Sequence, residues 1–284
     1  MRIGSPEGVE MRLDSSEKNA GTLEDPRPCI SIVIPVYNEQ DTLRVVVEKV
    51  LNLALKLEVV IVDDCSQDGT PVLIAELTQL YSNVKSIRHG RNQGKTAAVK
   101  NGFAATTGDI VIVQDADLEY DPAEIPEVIN PILEGRADVV FGSRFLVRKA
   151  SRVLYFYHYL ANCTLTFWCN LFSNLNMTDV ETGYKAFRGS MIRSMIITSS
   201  GFGFEIEVVA KVSKLGARIY EVPISYYGRT YEEGKKITAI DGVLAFWYVF
   251  KYNVLVSRDR SFRNAAQFST RSAARESAEG KGGI

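Results

Sequence analysis

Ile110-Val111-Ile112-Val113-Gln114-Asp115-Ala116-Asp117-Leu118-Glu119 is the stretch that decides how this chain reads. Its first four residues are all β-branched and do not alternate with polar ones. Such a run predicts a strand covered on both faces, as in a parallel sheet. It ends abruptly and delivers two carboxylates two positions apart. Two other runs do the same. Ile30-Ser31-Ile32-Val33-Ile34 passes into Pro35-Val36-Tyr37-Asn38-Glu39, and Val59-Val60-Ile61-Val62 passes into Asp63-Asp64-Cys65-Ser66-Gln67-Asp68-Gly69-Thr70. A fourth run is Val139-Val140-Phe141.

Helices fit between these runs, near 42–53, 70–81, 95–105 and 122–134. Ser66 or Asp68 is placed to cap the second, with Pro71 in its first turn. Strand–helix alternation predicts an α/β fold with a largely parallel sheet and helices on both faces. In open sheets of that kind, ligands bind at the carboxyl edge of the strands. One acidic turn there is an ordinary helix cap. Three on one edge argue for a binding crevice.

Asp115 and Asp117 lie on one side if the chain stays extended, and Glu119 then joins them. Adjacent carboxylates repel unless a positive charge sits between them. Mg²⁺ and Mn²⁺ accept one or two carboxylates and complete their shell with water and substrate phosphate. The expectation is therefore a divalent-metal site for a diphosphate ligand. Gly90-Arg91-Asn92-Gln93-Gly94-Lys95-Thr96 imitates a phosphate-binding P-loop, but three residues separate its glycines where that motif has four. Lys95, at a helix start, is still placed to meet phosphate.

Taken in order, Pro35-Val36-Tyr37-Asn38-Glu39, Asp63-Asp64-x-Ser66-x-Asp68-Gly69-Thr70, Asn92-x-Gly94-Lys95, Asp115-Ala116-Asp117, Gly142-Ser143-Arg144, Asp179-x-x-Thr182-Gly183-Tyr184-Lys185 and Val222-Pro223-Ile224-x-Tyr226 resemble the motifs of family 2 glycosyltransferases. The set is similar to the branch that glycosylates polyprenyl and dolichyl phosphates, of the dolichol-phosphate mannosyltransferase type. The resemblance implies a GT-A fold and an inverting, metal-dependent transfer of a hexose from a nucleotide-sugar (GDP-mannose or UDP-glucose type) to a lipid phosphate. It implies nucleotide contacts from Pro35, Tyr37 and Glu39, with Asp64 holding the base, and Lys95 and Asp115 join them as donor-binding candidates. Asp115, Asp117 and Glu119 form its acidic metal motif, with Glu119 standing where many of that type carry Gln. Arg144 and Arg152 match positions that grip the acceptor phosphate, and Arg229 matches an arginine that touches the donor phosphates. Arg188 is a further candidate for the acceptor phosphate, since a planar guanidinium meets phosphate oxygens in pairs. Asp179 either positions the acceptor or orients an arginine.

The flanks complete the organisation: a polar tail over 1–27, the catalytic domain over 28–236, an amphipathic helix over 237–256 and a second tail over 257–284. Residues 153–177 hold no Asp, Glu, Lys or Arg and are rich in Tyr, Phe and Trp, but their Asn and Thr make a poor membrane span. A helix lying in the interface is expected there. The competing expectation is an ordinary core helix. The second apolar segment, Val243-Leu244-Ala245-Phe246-Trp247-Tyr248-Val249-Phe250, has Lys235 and Lys236 before it and Arg258 and Arg260 after it, flanks that suit anionic headgroups. Peripheral attachment to the cytoplasmic face of a membrane follows, with room for a small membrane-anchoring partner protein. The net charge of −1 and pI of about 6.2 supply no bulk drive toward nucleic acid. Four cysteines without C-x-x-C spacing suggest neither a zinc site nor a disulfide framework. Three rivals stay open at this point: a family 2 enzyme for a soluble saccharide, a P-loop NTPase switch and a silent nucleotide-sugar binder.

Overall fold

The computed structural model describes residues 26–146, 155–201, 203–228 and 239–263. The four apolar runs form strands β1 (Cys29–Val36), β2 (Lys56–Asp63), β4 (Ile110–Val113) and β5 (Val139–Ser143). Three more complete one seven-stranded sheet: β3 (Val84–Arg88), β6 (Lys185–Arg188) and β7 (Ile219–Pro223). The order is β3-β2-β1-β4-β6-β5-β7, with β6 antiparallel to both neighbours and every other pairing parallel. The sheet is thus largely parallel, as expected. The run patterns do not reveal β3, β6 and β7, because β3 alternates in burial, β6 has four residues and β7 is a half-covered edge.

Burial explains the unbroken runs. Ile32, Val33, Ile34, Val59, Val60, Ile61, Val111 and Ile112 are wholly inaccessible and are divided among apolar clusters that cover both faces of the sheet. Helices α1 (Leu43–Leu51), α2 (Thr70–Leu80), α3 (Lys95–Ala105) and α4 (Ile125–Leu133) match the predicted segments. The last segment opens with a 3₁₀ turn, Pro122–Glu124, before Ile125 starts the α-helix with Pro126 in its first turn. Helix α3 approaches the sheet at Gly102, where a Cβ would meet Val33 Cγ1 at 2.3 Å. That closeness fixes the height of its N-terminal residue, Lys95, over the strand ends.

Helices α5 (Phe156–Ser173), α6 (Gly189–Ser194), α7 (Phe204–Leu215) and α8 (Ala239–Phe250) follow. The last continues into a π-helical turn, Lys251–Leu255. The ordered chain extends past 256, where a tail was expected to begin. Phe262 bridges to Met195, and Ser261 and Phe262 are buried.

Candidate active site

Strand order creates the site. Beyond β1 the chain builds β2 and β3 on one side, then α3 carries it back to β4 on the other. The loops after β1 and β4 therefore part, and a crevice opens where the order reverses. A cavity of about 210 Å³ lies there. Pro35, Tyr37 and Glu39 line it from the first loop, Asp64 from the second, Lys95 from α3, and Asp115 and Asp117 from the fourth.

Short polar bonds hold the loops together. The first loop turns at Asn38, whose φ of 56° is left-handed. Asn38 N–H donates to Ser66 Oγ (2.9 Å), and Gln67 N–H donates back to Asn38 Oδ1 (2.8 Å). Glu39 N–H reaches Thr70 Oγ1 (3.0 Å). Neither expected cap holds the N-cap position of α2, which is Gly69; Asp68 accepts from Thr70 N–H (2.9 Å) one residue earlier, and Ser66 serves the first loop.

Asp64 clamps the third loop. Its Oδ1 accepts from Gln93 N–H (2.9 Å) and contacts His89 Nδ1 (2.6 Å), and its Oδ2 accepts from Gly94 N–H (2.7 Å). The P-loop resemblance ends here. Two backbone donors that would have to cradle phosphate are already spent on a carboxylate. His89 has no role in the sequence reading, although it follows β3 at the same edge. Its Nε2 faces Asn101 Nδ2 at 2.8 Å, so an Nδ1–H tautomer satisfies both neighbours.

Lys95 lies against both oxygens of Asp115, with Nζ at 2.7 Å from Oδ1 and 2.9 Å from Oδ2. Burial opposes its charge, but Asp115 and Glu205 outweigh burial and raise the ammonium above its ordinary range. Asp117 has the opposite problem. Burial, then the charges of Asp115 and Glu119, push its carboxyl up to about 7. Crowded, part-buried carboxylates facing a cavity suit a hard cation.

The expected trio contracts to a pair. Extended geometry ends with β4 at Val113, the chain turns from Ala116, and beyond Leu118, whose φ of 61° is left-handed, Glu119 N–H donates to Asp117 Oδ1 (3.1 Å). Glu119 leaves the cavity lining, and its Oε2 accepts from Tyr226 Oη (3.0 Å). Among the described residues no three His, Cys, Asp or Glu side chains gather closely enough to hold a metal by themselves. Asp115 and Asp117 still fit a cation that takes its other ligands from substrate and water.

A second polar unit stands at the end of β5. Arg144 Nε and Nη2 donate to Asp179 Oδ2 and Oδ1 at 2.6 and 2.7 Å. Arg144 also lies over the Tyr226 ring at 5.1 Å. Tyr226 therefore touches Arg144 with its face and Glu119 with its hydroxyl, which joins this unit to the acidic loop. Asp179 is wholly inaccessible. Burial pushes its carboxyl up, and Arg144 outweighs that to hold it below its usual range. Of the two roles considered for Asp179, orienting an arginine is the one this geometry provides.

Arg188 does not belong to the site. It pairs with Ile110, the first residue of β4, and so stands at the opposite end of the strands from Asp115. Its Nε donates to Asp138 Oδ1 (2.8 Å), a carboxylate it shares with Arg218. The sequence placed Arg188 among phosphate ligands on residue type, and the antiparallel direction of β6 turns it away. Arg152 and Arg229 lie outside the described residues, as do 1–25, 147–154, 202, 229–238 with Lys235 and Lys236, and 264–284.

An apolar surface flanks these units. Helix α5 buries only Leu165, Thr166 and Cys169, and leaves Phe156, Tyr157, Phe167 and Leu171 largely exposed. The core-helix alternative therefore fails. Helix α8 exposes Leu244, Phe246, Trp247 and Phe250. No helix of the described residues is long and apolar enough to cross a membrane. His158 is half-buried and packs edge-on against Tyr155.

Comparison with known proteins agrees with this architecture. The chain is 30% identical over 210 residues to dolichol-phosphate mannosyltransferase of Pyrococcus furiosus, which covers 72% of this chain and 58% of that protein. It is 27% identical to undecaprenyl-phosphate mannosyltransferase of Micrococcus luteus, over 74% of this chain and 88% of that one. It is 31% identical to undecaprenyl-phosphate 4-deoxy-4-formamido-L-arabinose transferase of Edwardsiella ictaluri, over 72% and 62%. The chain thus spans about three-fifths of the length of two of these relatives. Glucosyl-3-phosphoglycerate synthase of Mycobacterium tuberculosis shares the GT-A fold, with a TM-score of 0.62 at 20% identity over 80% of this chain and 81% of that one. The same enzyme has been solved with Mn²⁺, UDP-glucose and phosphoglyceric acid, and matches there with a TM-score of 0.61 at 20% identity over 79% of each chain. Residues 31–197 match the model of glycosyl transferase family 2, and with more than half its length so matched, the chain belongs to that family.

Proposed function

We propose that this chain is an inverting hexosyltransferase that moves a sugar from a nucleoside-diphosphate sugar to a polyprenyl or dolichyl phosphate. One observation carries the reading. A carboxylate pair, one member braced by a lysine, faces the crevice at the carboxyl edge, and a carboxylate-oriented arginine is joined to the same acidic loop through Tyr226. The names of the three relatives supply the acceptor class.

Pro35, Tyr37 and Glu39 would bind the nucleoside, with Asp64 holding the wall of its pocket. Asp115 and Asp117 would hold Mg²⁺ or Mn²⁺, which supplies Lewis-acid neutralisation of the departing diphosphate. Lys95 adds a fixed positive charge beside the same oxygens. The acceptor is an anionic phosphate monoester at neutral pH, so its attack needs positioning more than a strong base. Arg144 would seat it, with Asp179 keeping the guanidinium in place, and Arg152 and Arg229 are proposed to add charge. In-line attack on the anomeric carbon inverts the centre.

The exposed aromatic faces of α5 and α8 would rest on the cytoplasmic surface of a membrane, with Tyr and Trp at the headgroup level. A small membrane-anchoring protein is compatible with the same face.

The test is a panel of radiolabelled GDP- and UDP-sugars with a polyprenyl phosphate, with and without Mn²⁺. One donor should label the lipid only with metal present. Labelling of a soluble saccharide but not the lipid would overturn the acceptor assignment.

A further inference from the structure

Gly183 lies against Asp115, in the loop between α5 and β6. Its φ is not left-handed, so its backbone is open to any residue. Space alone demands glycine. A Cβ built there would lie 2.6 Å from Asp115 Oδ2, and 2.6 and 3.1 Å from the Tyr120 ring atoms Cε2 and Cζ. Something must move.

The tyrosine is held firmly. Its ring is buried and packs against Tyr184 and Tyr226, with centroids 5.0 and 5.4 Å away. Its hydroxyl accepts from the N–H of Gly183 itself (2.9 Å). Tyr184 is fixed in turn by bonds to Gln114 and to the Asp121 carbonyl. Asp115 is different: it lines the cavity, and Lys95, which meets both its oxygens, is a flexible side chain that can follow it. A methyl group at 183 therefore displaces the carboxylate in preference to the ring.

We propose that Gly183 is a positioning residue for the cation site. The missing side chain leaves Asp115 room to stand where Lys95 meets both its oxygens and where, with Asp117, it would hold a cation. This rests on Asp115 and Asp117 being the ion-holding pair. Residues that orient a metal ligand typically change affinity by about 10- to 100-fold when altered.

The experiment measures binding of UDP and GDP by calorimetry, in Mn²⁺ and in EDTA, with no transfer involved. The wild-type chain should bind one of them more tightly in Mn²⁺. Gly183→Ala should cut that gain about tenfold or more and leave binding in EDTA within about twofold. An equal gain in both proteins, even with a lower melting temperature in the variant, overturns the role of Gly183 and leaves the metal reading standing. Absence of any gain in the wild type overturns both. If Gly183→Ala does not fold, Tyr120→Leu/Gly183→Ala is compared with Tyr120→Leu, which frees the ring space and leaves only the Asp115 contact. Equal gains in that pair count equally against the proposal.

Discussion

Asp179 holds Arg144 by both carboxylate oxygens, at 2.6 and 2.7 Å, and also accepts from the Arg144 backbone N–H at 3.1 Å. Such a fork fixes the guanidinium plane as well as its position. Asp179→Asn keeps the shape and removes the charge. It should lower transfer about 100-fold, mainly through the acceptor KM, with donor affinity little changed. Arg144→Lys should resemble it, because an ammonium cannot reproduce the paired contact. Asp179→Ala should also cost about 3–5 kcal/mol of stability, since it strands a buried guanidinium. Kinetics with varied polyprenyl phosphate, beside denaturant melts, separate these effects. Unchanged acceptor kinetics in Asp179→Asn would remove the orienting role.

Asp117 shares the acidic loop of the cavity with Asp115, which Lys95 already engages, while Asp64 on another wall is taken up by the third loop. Asp117→Ala should reduce transfer below about 1% of wild type, on the scale of removing a key electrostatic group. EDTA should do the same to the wild-type enzyme, with recovery on adding Mn²⁺. Full-rate transfer in EDTA is the outcome that excludes the metal.

Arg188 gives the contrasting case. Arg188→Ala leaves Asp138 its contacts with Arg218, including Nη2 to Oδ1 at 2.9 Å. Acceptor and donor kinetics should stay within about twofold of wild type, and stability should fall by about 1 kcal/mol. A large rise in acceptor KM would return Arg188 to the site against its position in β6.

Acid stability follows from two carboxylates away from the cavity. Burial pushes the Glu58 carboxyl up, but Lys85, Ser31 and Thr107 outweigh it and bring it down to about 2. Burial likewise pushes Asp138 up, and hydrogen bonds from Arg218 and Arg188 bring it to about 2. Both folded values lie below the unfolded ones. The stability they contribute is therefore complete above about pH 4.5 and disappears as pH falls toward about 2. After solvent screening each contributes on the order of 1 kcal/mol. Urea melts across that window should show a steep loss. Glu58→Gln and Asp138→Asn should each flatten it while lowering stability at pH 7.

Replacing Trp168 and Trp247, both exposed, by Ser should weaken flotation with anionic vesicles at least tenfold, since burying one large side chain contributes about 1.5–3 kcal/mol. Transfer to a short-chain, water-soluble acceptor phosphate should persist. Flotation equal to wild type would detach these helices from the membrane.

Much of this protein was legible in its linear pattern. The unbroken β-branched runs of β1, β2, β4 and β5 announce strands buried on both faces, because only such strands have no solvent side to mark with polar residues. The acidic turns that follow three of them already mark the carboxyl edge. Other features needed the folded chain. Strand pairing put Arg188 at the far edge, and no local property of that residue records the direction of β6. A single left-handed residue, Leu118, removed Glu119 from the cavity. Contacts between distant segments gave Asp64 its loop to hold and Asp179 its arginine. Composition and periodicity report how a residue meets solvent. Which side chains face one another depends on strand order and turn geometry, and the tertiary structure alone decided that.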